Sequence, residues 1–308
     1  MGGFINSNRR QGVSQRYYLI DIIKDLELAH DVKWIELGKT RILPFTEYQI
    51  KKYKDIIANI KLLKNIKGTL CAITEVEAND REQAYQKGRT YIHKIISVLR
   101  LFLDTYYNGS VRVVIGLEPV IHPSPDYLLP DTSGHPSHSH WREVGIIDKD
   151  RIKEFNMGGL KKVCSLCDKN NPSELESSLI SAIEWFSMGL LAVNKAMQYV
   201  CYVTALETLV TEHSNEKGIN AQLAERVPFI CWKRRKDVST RLDLSKRMRD
   251  IYNKRSNILH SGYQKISNRE IRELNSISRH CIQQFIPMVV LGTKNALKEW
   301  IAEKRFSF

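Results

Sequence analysis

From Pro172 to the C-terminus the apolar residues recur at helical spacing and no segment alternates, which confines this part of the chain to packed helices. Pro172-Ser173-Glu174 opens the first helix, which runs to about Asn194 with Leu175, Leu179, Ile183, Phe186 and Leu190 on one stripe. Met197 to Thr211 is apolar almost all round, the pattern of a helix at the centre of a bundle. Gly218 to about Trp232 gives a shorter helix and Leu242 to His260 a fourth. Asn268 to about Lys304 gives a long fifth one that is expected to break. The expectation for residues 172–308 is an all-α helical bundle.

The first half reads differently. Gly68 to Glu77 alternates and is rich in β-branched residues, as a strand is. Asn79-Asp80-Arg81-Glu82 then offers a helix cap, and Ala84, Tyr91, Ile95, Val98, Leu99 and Phe102 follow at helical spacing. After the Asn108-Gly109 turn, Val111 to Leu117 reads as a second strand. Strand, helix and strand in close succession predict an α+β or split βαβ module, with further elements between residues 17 and 65. From about Val120 to Asp150 prolines and histidines become too dense for helix interiors or central strands, so an irregular excursion is expected. Asp168-Lys169-Asn170-Asn171-Pro172 is the best boundary. With 308 residues, about twice a ~150-residue domain, the chain is expected to hold an α+β domain over 1–165 and the bundle over 172–308.

Charge narrows the partners. The 47 Lys and Arg exceed the 34 Asp and Glu, a net charge of +13, which favours a polyanion. Residues 1–160 carry 23 basic and 19 acidic side chains, residues 161–308 carry 24 and 15, so the excess belongs mainly to the bundle. No stretch approaches the ~18 consecutive apolar residues of a spanning helix, and no signal peptide or myristoylation pattern opens the chain, so a cytoplasmic protein with no membrane partner is expected. Six cysteines lie mostly inside apolar segments and suggest no disulfide framework. Cys164 and Cys167 have zinc-type spacing, with His135, His138 and His140 upstream. The 24 residues from His140 to Cys164 are a loose separation for a zinc site, so no metal and no cofactor are expected. P-loop, dinucleotide and serine-hydrolase motifs do not occur.

The fourth bundle helix concentrates the charge. Ten basic residues fall between 233 and 255, against Asp237, Asp243 and Asp250. Such a run is a solvated face as readily as a binding surface, but this one leads into Tyr252-Asn-Lys-Arg255-Ser256-Asn257-Ile-Leu-His260-Ser-Gly262. Gly262 is a natural left-handed stop, which puts His260 in the last turn, where the helix dipole favours positive charge. Arg255 and His260 lie about 140° apart around an ideal helix, with Asn257 between them in sequence. A permanent phosphate binder, a titratable acid or base and an amide are what RNA cleavage by 2′-hydroxyl attack requires.

Arg255-Ser-Asn-Ile-Leu-His260 matches the R-x4-H form of the HEPN signature. With Tyr252 and Gly262 the segment resembles the Apea-like HEPN family. Tyr199-Val-Cys-Tyr-Val-Thr-Ala-Leu-Glu207-Thr-Leu-Val is similar to that family's second helix. The resemblance covers residues 172 to 300, and Val76-Glu77-Ala-Asn-Asp80 followed by Glu82-Gln-Ala84 looks like the α+β region that often precedes the domain. It implies a metal-independent endoribonuclease, of antiphage-defence or toxin type, whose two copies pair so that both Arg and His line one cleft. Arg255 would hold the scissile phosphate and His260 would exchange protons with the 2′-hydroxyl or the leaving 5′-oxygen. The residue after the Arg is often Asn, Asp or His in the family and is Ser256 here, so the third role stays open between Ser256 and Asn257. Lys233, Arg234, Arg235 and Lys254 would bind RNA, and the first domain would sense a phage or regulatory trigger or gate the cleft. Glu207, a carboxylate on an apolar helix, needs either a partner such as Arg255 or a wet edge of the bundle. Two alternatives remain: a bundle that binds RNA or assembles without cutting, and a regulator that lays residues 233–255 in the DNA major groove.

Overall fold

A computed structural model describes residues 14–53, 66–103, 106–107, 110–111, 115–117, 144–212, 218–233, 237–262 and 265–306. The chain is mixed α/β, and it separates into two compact units between Asp168 and Lys169.

In the first unit, β1 (Gln15–Lys24), β2 (Leu26–Leu28), β3 (Ile35–Leu37) and β4 (Thr40–Pro44) precede the short helix α1 (Glu47–Tyr53). Then come β5 (Leu70–Ala78), α2 (Arg81–Phe102), β6 (Tyr106–Tyr107), β7 (Ser110–Val111), β8 (Gly116–Leu117), β9 (Gly145–Ile147), α3 (Lys149–Met157) and α4 (Leu160–Leu166). The main sheet is antiparallel in the order β3-β4-β5-β1-β8. Because β1 is antiparallel to both β5 and β8, those two run parallel with β1 between them, and β5-α2-β8 is a split βαβ unit. Asp80 caps α2 by accepting from the Gln83 N–H at 2.8 Å, and Ile92, Ile95, Ile96 and Leu99 form its buried stripe. The buried Arg100 of α2 donates from Nε to the Ile115 carbonyl at 2.7 Å, and burial pushes its pKa down to about 10.

The strand expected from Val111 to Leu117 appears as two separate short strands, with residues 112–114 outside the described set. The Pro- and His-rich stretch falls largely on residues 118–143, also outside it.

In the second unit every element among the described residues is helical: α5 (Glu174–Leu191), α6 (Lys195–Val210), α7 (Ile219–Cys231), α8 (Val238–Ser261), α9 (Asn268–Phe285), a 3-10 turn (Ile286–Leu291) and α10 (Lys294–Phe306). Capping boxes start two of them. Ser173 and Glu176 exchange side-chain and backbone bonds at α5, and Ser267 and Glu270 do so at α9. The break expected in the long last segment falls at Pro287, where the chain tightens into the 3-10 turn and ends on Gly292 at φ +78°.

α6 is the central helix, buried through Tyr199, Tyr202, Val203, Leu206 and Leu209. It approaches α5 closely at Gly189, where an added Cβ would stand 2.5 Å from Cε1 of the fully buried Tyr202. Gly to Ala inside a helix normally gains about 1 kcal/mol. Here overpacking against a ring with nowhere to move costs about 1–3 kcal/mol and should exceed that gain. Gly189→Ala is therefore expected to lower the urea midpoint of unfolding, and a raised midpoint would contradict the tight approach of α5 to α6.

Candidate active site

The C-terminal end of α8 is fixed by Gly262, whose φ of +74° breaks the helix while its N–H reaches the Ile258 carbonyl at 3.1 Å. That stop leaves His260 exposed in the last turn beside the exposed Asn257, with Ser256 half-buried. Ser261 Oγ donates to the Asn257 carbonyl at 2.5 Å and steadies the turn.

Arg255 turns the other way, toward α6. Its Nη2 donates to Glu207 Oε2 at 3.1 Å, and the Tyr252 ring lies 5.9 Å from its guanidinium carbon. The Glu207 side chain is 12% exposed and that of Arg255 22%, so the pair sits at the edge of the core with one flank open. Burial raises the Glu207 pKa and Arg255 pulls it back. Glu207 Oε1 and Arg255 Nε are buried and find no hydrogen-bond partner among the described residues. Of the two readings open for Glu207, the carboxylate paired with Arg255 is the one the structure has. One chain thus presents a held guanidinium on one flank of α8 and an exposed imidazole about 140° around the helix from it.

The basic run divides differently from its appearance in the sequence. Lys233 is half-buried, donates to the Gln284 carbonyl at 3.0 Å, and has its pKa lowered by burial. Lys254 bonds Glu270 at 2.6 Å and the Lys265 carbonyl at 3.1 Å. Arg241 is buried over the Phe229 ring and bonds the Trp232 carbonyl at 3.0 Å, while Arg247 pairs with Glu273. Lys246 and Arg249 stand exposed on α8. Arg234 and Arg235 lie outside the described residues. Most of the described cations therefore fasten α8 to its neighbours.

One such fastening has a pH signature. The hydrogen bonds from Lys254 and from the Ser267 N–H hold the Glu270 carboxyl down at about 2. The folded value lies below the ordinary 4.5, so this contribution is complete above pH 4.5 and disappears as the pH falls toward 2. The side chain is 34% exposed, so after solvent screening Glu270→Gln is expected to cost only about 1 kcal/mol at neutral pH. Urea midpoints measured against pH should converge between wild type and variant on acidification. A constant gap would mean that the carboxylate charge is not the source.

A feature passed over in the sequence is a groove of about 810 Å³ between the end of α7, α8 and α9. Arg269, Arg272, Ser276 and His280 line it at helical spacing on α9, and the Trp232 and His280 rings lie 5.4 Å apart at its end. That i, i+3, i+7, i+11 stripe was readable. The α8 residues of the groove, Thr240, Asp243, Leu244 and Arg247, lie about 100–160° around the helix from His260, so the groove and the imidazole are on different faces.

Cys164 is buried, with its thiol pushed up by desolvation, and Cys167 is half-buried. Among the described residues no three His, Cys, Asp or Glu side chains gather as metal ligands, and no helix is long and apolar enough to cross a membrane. His135, His138 and His140 lie outside the described residues.

Fold and site together define a mixed α/β chain with an antiparallel sheet in its N-terminal region and helices in its C-terminal part. Compared with models of known families, with curated proteins and with solved structures, the chain matches none.

Proposed function

We propose that the second unit is a HEPN-type bundle acting as a metal-independent endoribonuclease in the cytoplasm. The observation that carries this reading is the end of α8, where Arg255, gripped by Glu207 from the central helix, and the exposed His260 occupy the R-x4-H positions just before a left-handed glycine stop. In the proposed step the 2′-oxygen attacks the adjacent phosphorus as a base removes its proton. The bond to the 5′-oxygen breaks as an acid protonates it, leaving a 2′,3′-cyclic phosphate and a 5′-hydroxyl. Arg255 stabilises the charge that builds on the phosphoryl oxygens. Asn257 and Ser256 are the neighbouring polar groups that orient the phosphate or the imidazole.

Two proton transfers call for two titratable groups, and one chain supplies a single His260 on this face. The mechanism therefore requires a homodimer whose cleft takes Arg255 and His260 from both copies. RNA is the partner, with an antiphage or toxin role and a phage or regulatory trigger acting through the first unit. Incubating the protein with total RNA in EDTA is expected to give fragments ending in 2′,3′-cyclic phosphate. Cleavage that depends on a divalent metal, or by a strict monomer, overturns the reading.

A second reading has its own support. Lys233 and Lys254 are tied to partners within the chain and Arg255 to Glu207, which suits a bundle that binds RNA weakly or assembles without cutting. It predicts no cleavage, and RNA binding whose salt slope becomes shallower in Arg255→Ala.

A further inference from the structure

The first unit contains a pocket of about 610 Å³ between the segment Leu28–Trp34, the β3-β4 hairpin and α1, a size in the range of small-ligand sites. Its floor is apolar, through the buried Val32 and Leu43. Its rim carries two large rings left in solvent, Trp34 at 53% exposure and Tyr48 at 70%. Two exposed rings on the rim of one apolar-floored hollow offer a surface that a planar or apolar group can cover.

Charge gives the second half of the argument. The lining includes Lys33, Arg41, Lys52 and His30, and among the described residues it includes no acidic side chain. Arg41 is shared, because it pairs with Glu36 and lies 6.0 Å from the centre of the Trp34 ring. Lys33 and Lys52 are exposed, and Lys52 Nζ stands 5.4 Å from the centre of the Tyr53 ring. Thr46 and Gln49 add polar edges; Gln49 Oε1 accepts the Thr46 N–H at 3.1 Å. Exposed rings, ammonium groups and a few hydrogen-bonding edges around a bounded hollow match a flat aromatic ring that carries an anionic tail.

We propose that this pocket binds a mononucleotide, with the base against Trp34 and Tyr48 and the phosphate met by Lys33 and Lys52. Sequence-tolerant stacking of a base on an aromatic side chain and charge-assisted bonds to phosphate are the two recognition chemistries involved. A volume of about 610 Å³ suits one nucleotide, so the occupant assigned is a free small molecule rather than a nucleic-acid strand. The assignment is independent of the chemistry of the second unit.

The test is isothermal titration calorimetry of the full chain with AMP, GMP, CMP and UMP, and with adenosine and inorganic phosphate as probes of each half of the site. At least one mononucleotide should bind with a Kd on the order of 10–100 µM. Adenosine and phosphate should each be at least about 10-fold weaker, as each uses only one half of the site. Trp34→Ala and Lys52→Glu should each weaken binding by about 10-fold or more. Both side chains are exposed, so the variants should fold, and Tyr48→Ala provides a third check. His260→Ala should bind like wild type, which separates this result from the fate of the ribonuclease reading. The proposal is overturned by no mononucleotide binding at millimolar concentration, or by unchanged affinity in all three pocket variants. Phosphate binding as tightly as the nucleotides, or a single-stranded oligonucleotide binding far more tightly than any of them, overturns it equally.

Discussion

His260→Ala is expected to lower RNA cleavage by about 10²- to 10⁴-fold while leaving the unfolding midpoint within experimental scatter of wild type. Two features of the structure make those effects separable. The imidazole is exposed in the last turn of α8, so truncating it opens no cavity, and the helix stop belongs to Gly262, which the substitution does not touch. A residue proposed to transfer protons that carries no packing load is the most informative single change in this protein. The measurement is the rate of appearance of 2′,3′-cyclic phosphate ends in EDTA, alongside a denaturation curve. If wild type and variant cut equally well, His260 is not the acid or base, and residual cutting belongs to another group or another protein. If the variant loses activity and stability together, the effect is structural and the assignment also fails.

The helical half was legible because its signals are local. Ser173 with Glu176, Ser267 with Glu270, Asn194 and Gly262 lie within a few residues of the ends they cap, so the sequence shows both partners at once. The same holds for Asp80 at α2. The sheet was less legible because strand pairing is long-range. Nothing near Gln15–Lys24 announces that this strand will lie between Leu70–Ala78 and Gly116–Leu117, and the split βαβ arrangement depends on that insertion. The hairpin of β3 and β4 turns at Gly38, at φ +57°, within only three and five residues of strand, too short to show a period.

The site shows the same division. Glu207 advertised a need for a partner because a carboxylate on an apolar helix is costly to bury alone, and Arg255 supplies one across 48 positions of sequence. The destinations of Lys233 and Lys254 were not legible. Gln284 stands 51 positions from the first and Glu270 16 from the second, and a run of basic residues looks alike whether it faces solvent or fastens helices together. The groove on α9 carried a readable stripe, but a stripe of mixed Arg, Ser and His points to no particular reaction by itself, whereas R-x4-H before a glycine stop is the pattern on which the proposed reaction rests.

The Glu207–Arg255 pair should separate structure from function more sharply than its burial suggests. Desolvation outweighs the pull of Arg255 in setting the Glu207 pKa, so the charged carboxylate is less favoured in the fold than in water. A group with a raised folded pKa binds protons more readily when folded, so its burden on stability is greatest above that pKa and fades as the pH drops through it. Glu207→Gln, which resembles the protonated form, should therefore cost less than about 1 kcal/mol at neutral pH and compare most favourably with wild type there. Arg255→Ala should behave differently. It leaves a 12%-exposed carboxylate facing a void, at a cost of about 2–3 kcal/mol, and a Glu207→Gln, Arg255→Met double variant should regain much of that loss. In cleavage the order should also differ. In the proposed mechanism Arg255 meets the phosphate, so removing it is expected to slow the reaction by about 10²- to 10³-fold. In the same mechanism Glu207 acts only through Arg255, as a positioning residue, so Glu207→Gln should slow cleavage by about 10-fold with stability nearly intact. Urea midpoints at two pH values and cleavage rates for the four proteins test this directly. A Glu207→Gln variant that loses more than about 2 kcal/mol yet cuts at the wild-type rate would make Glu207 a brace between α6 and α8 and nothing more.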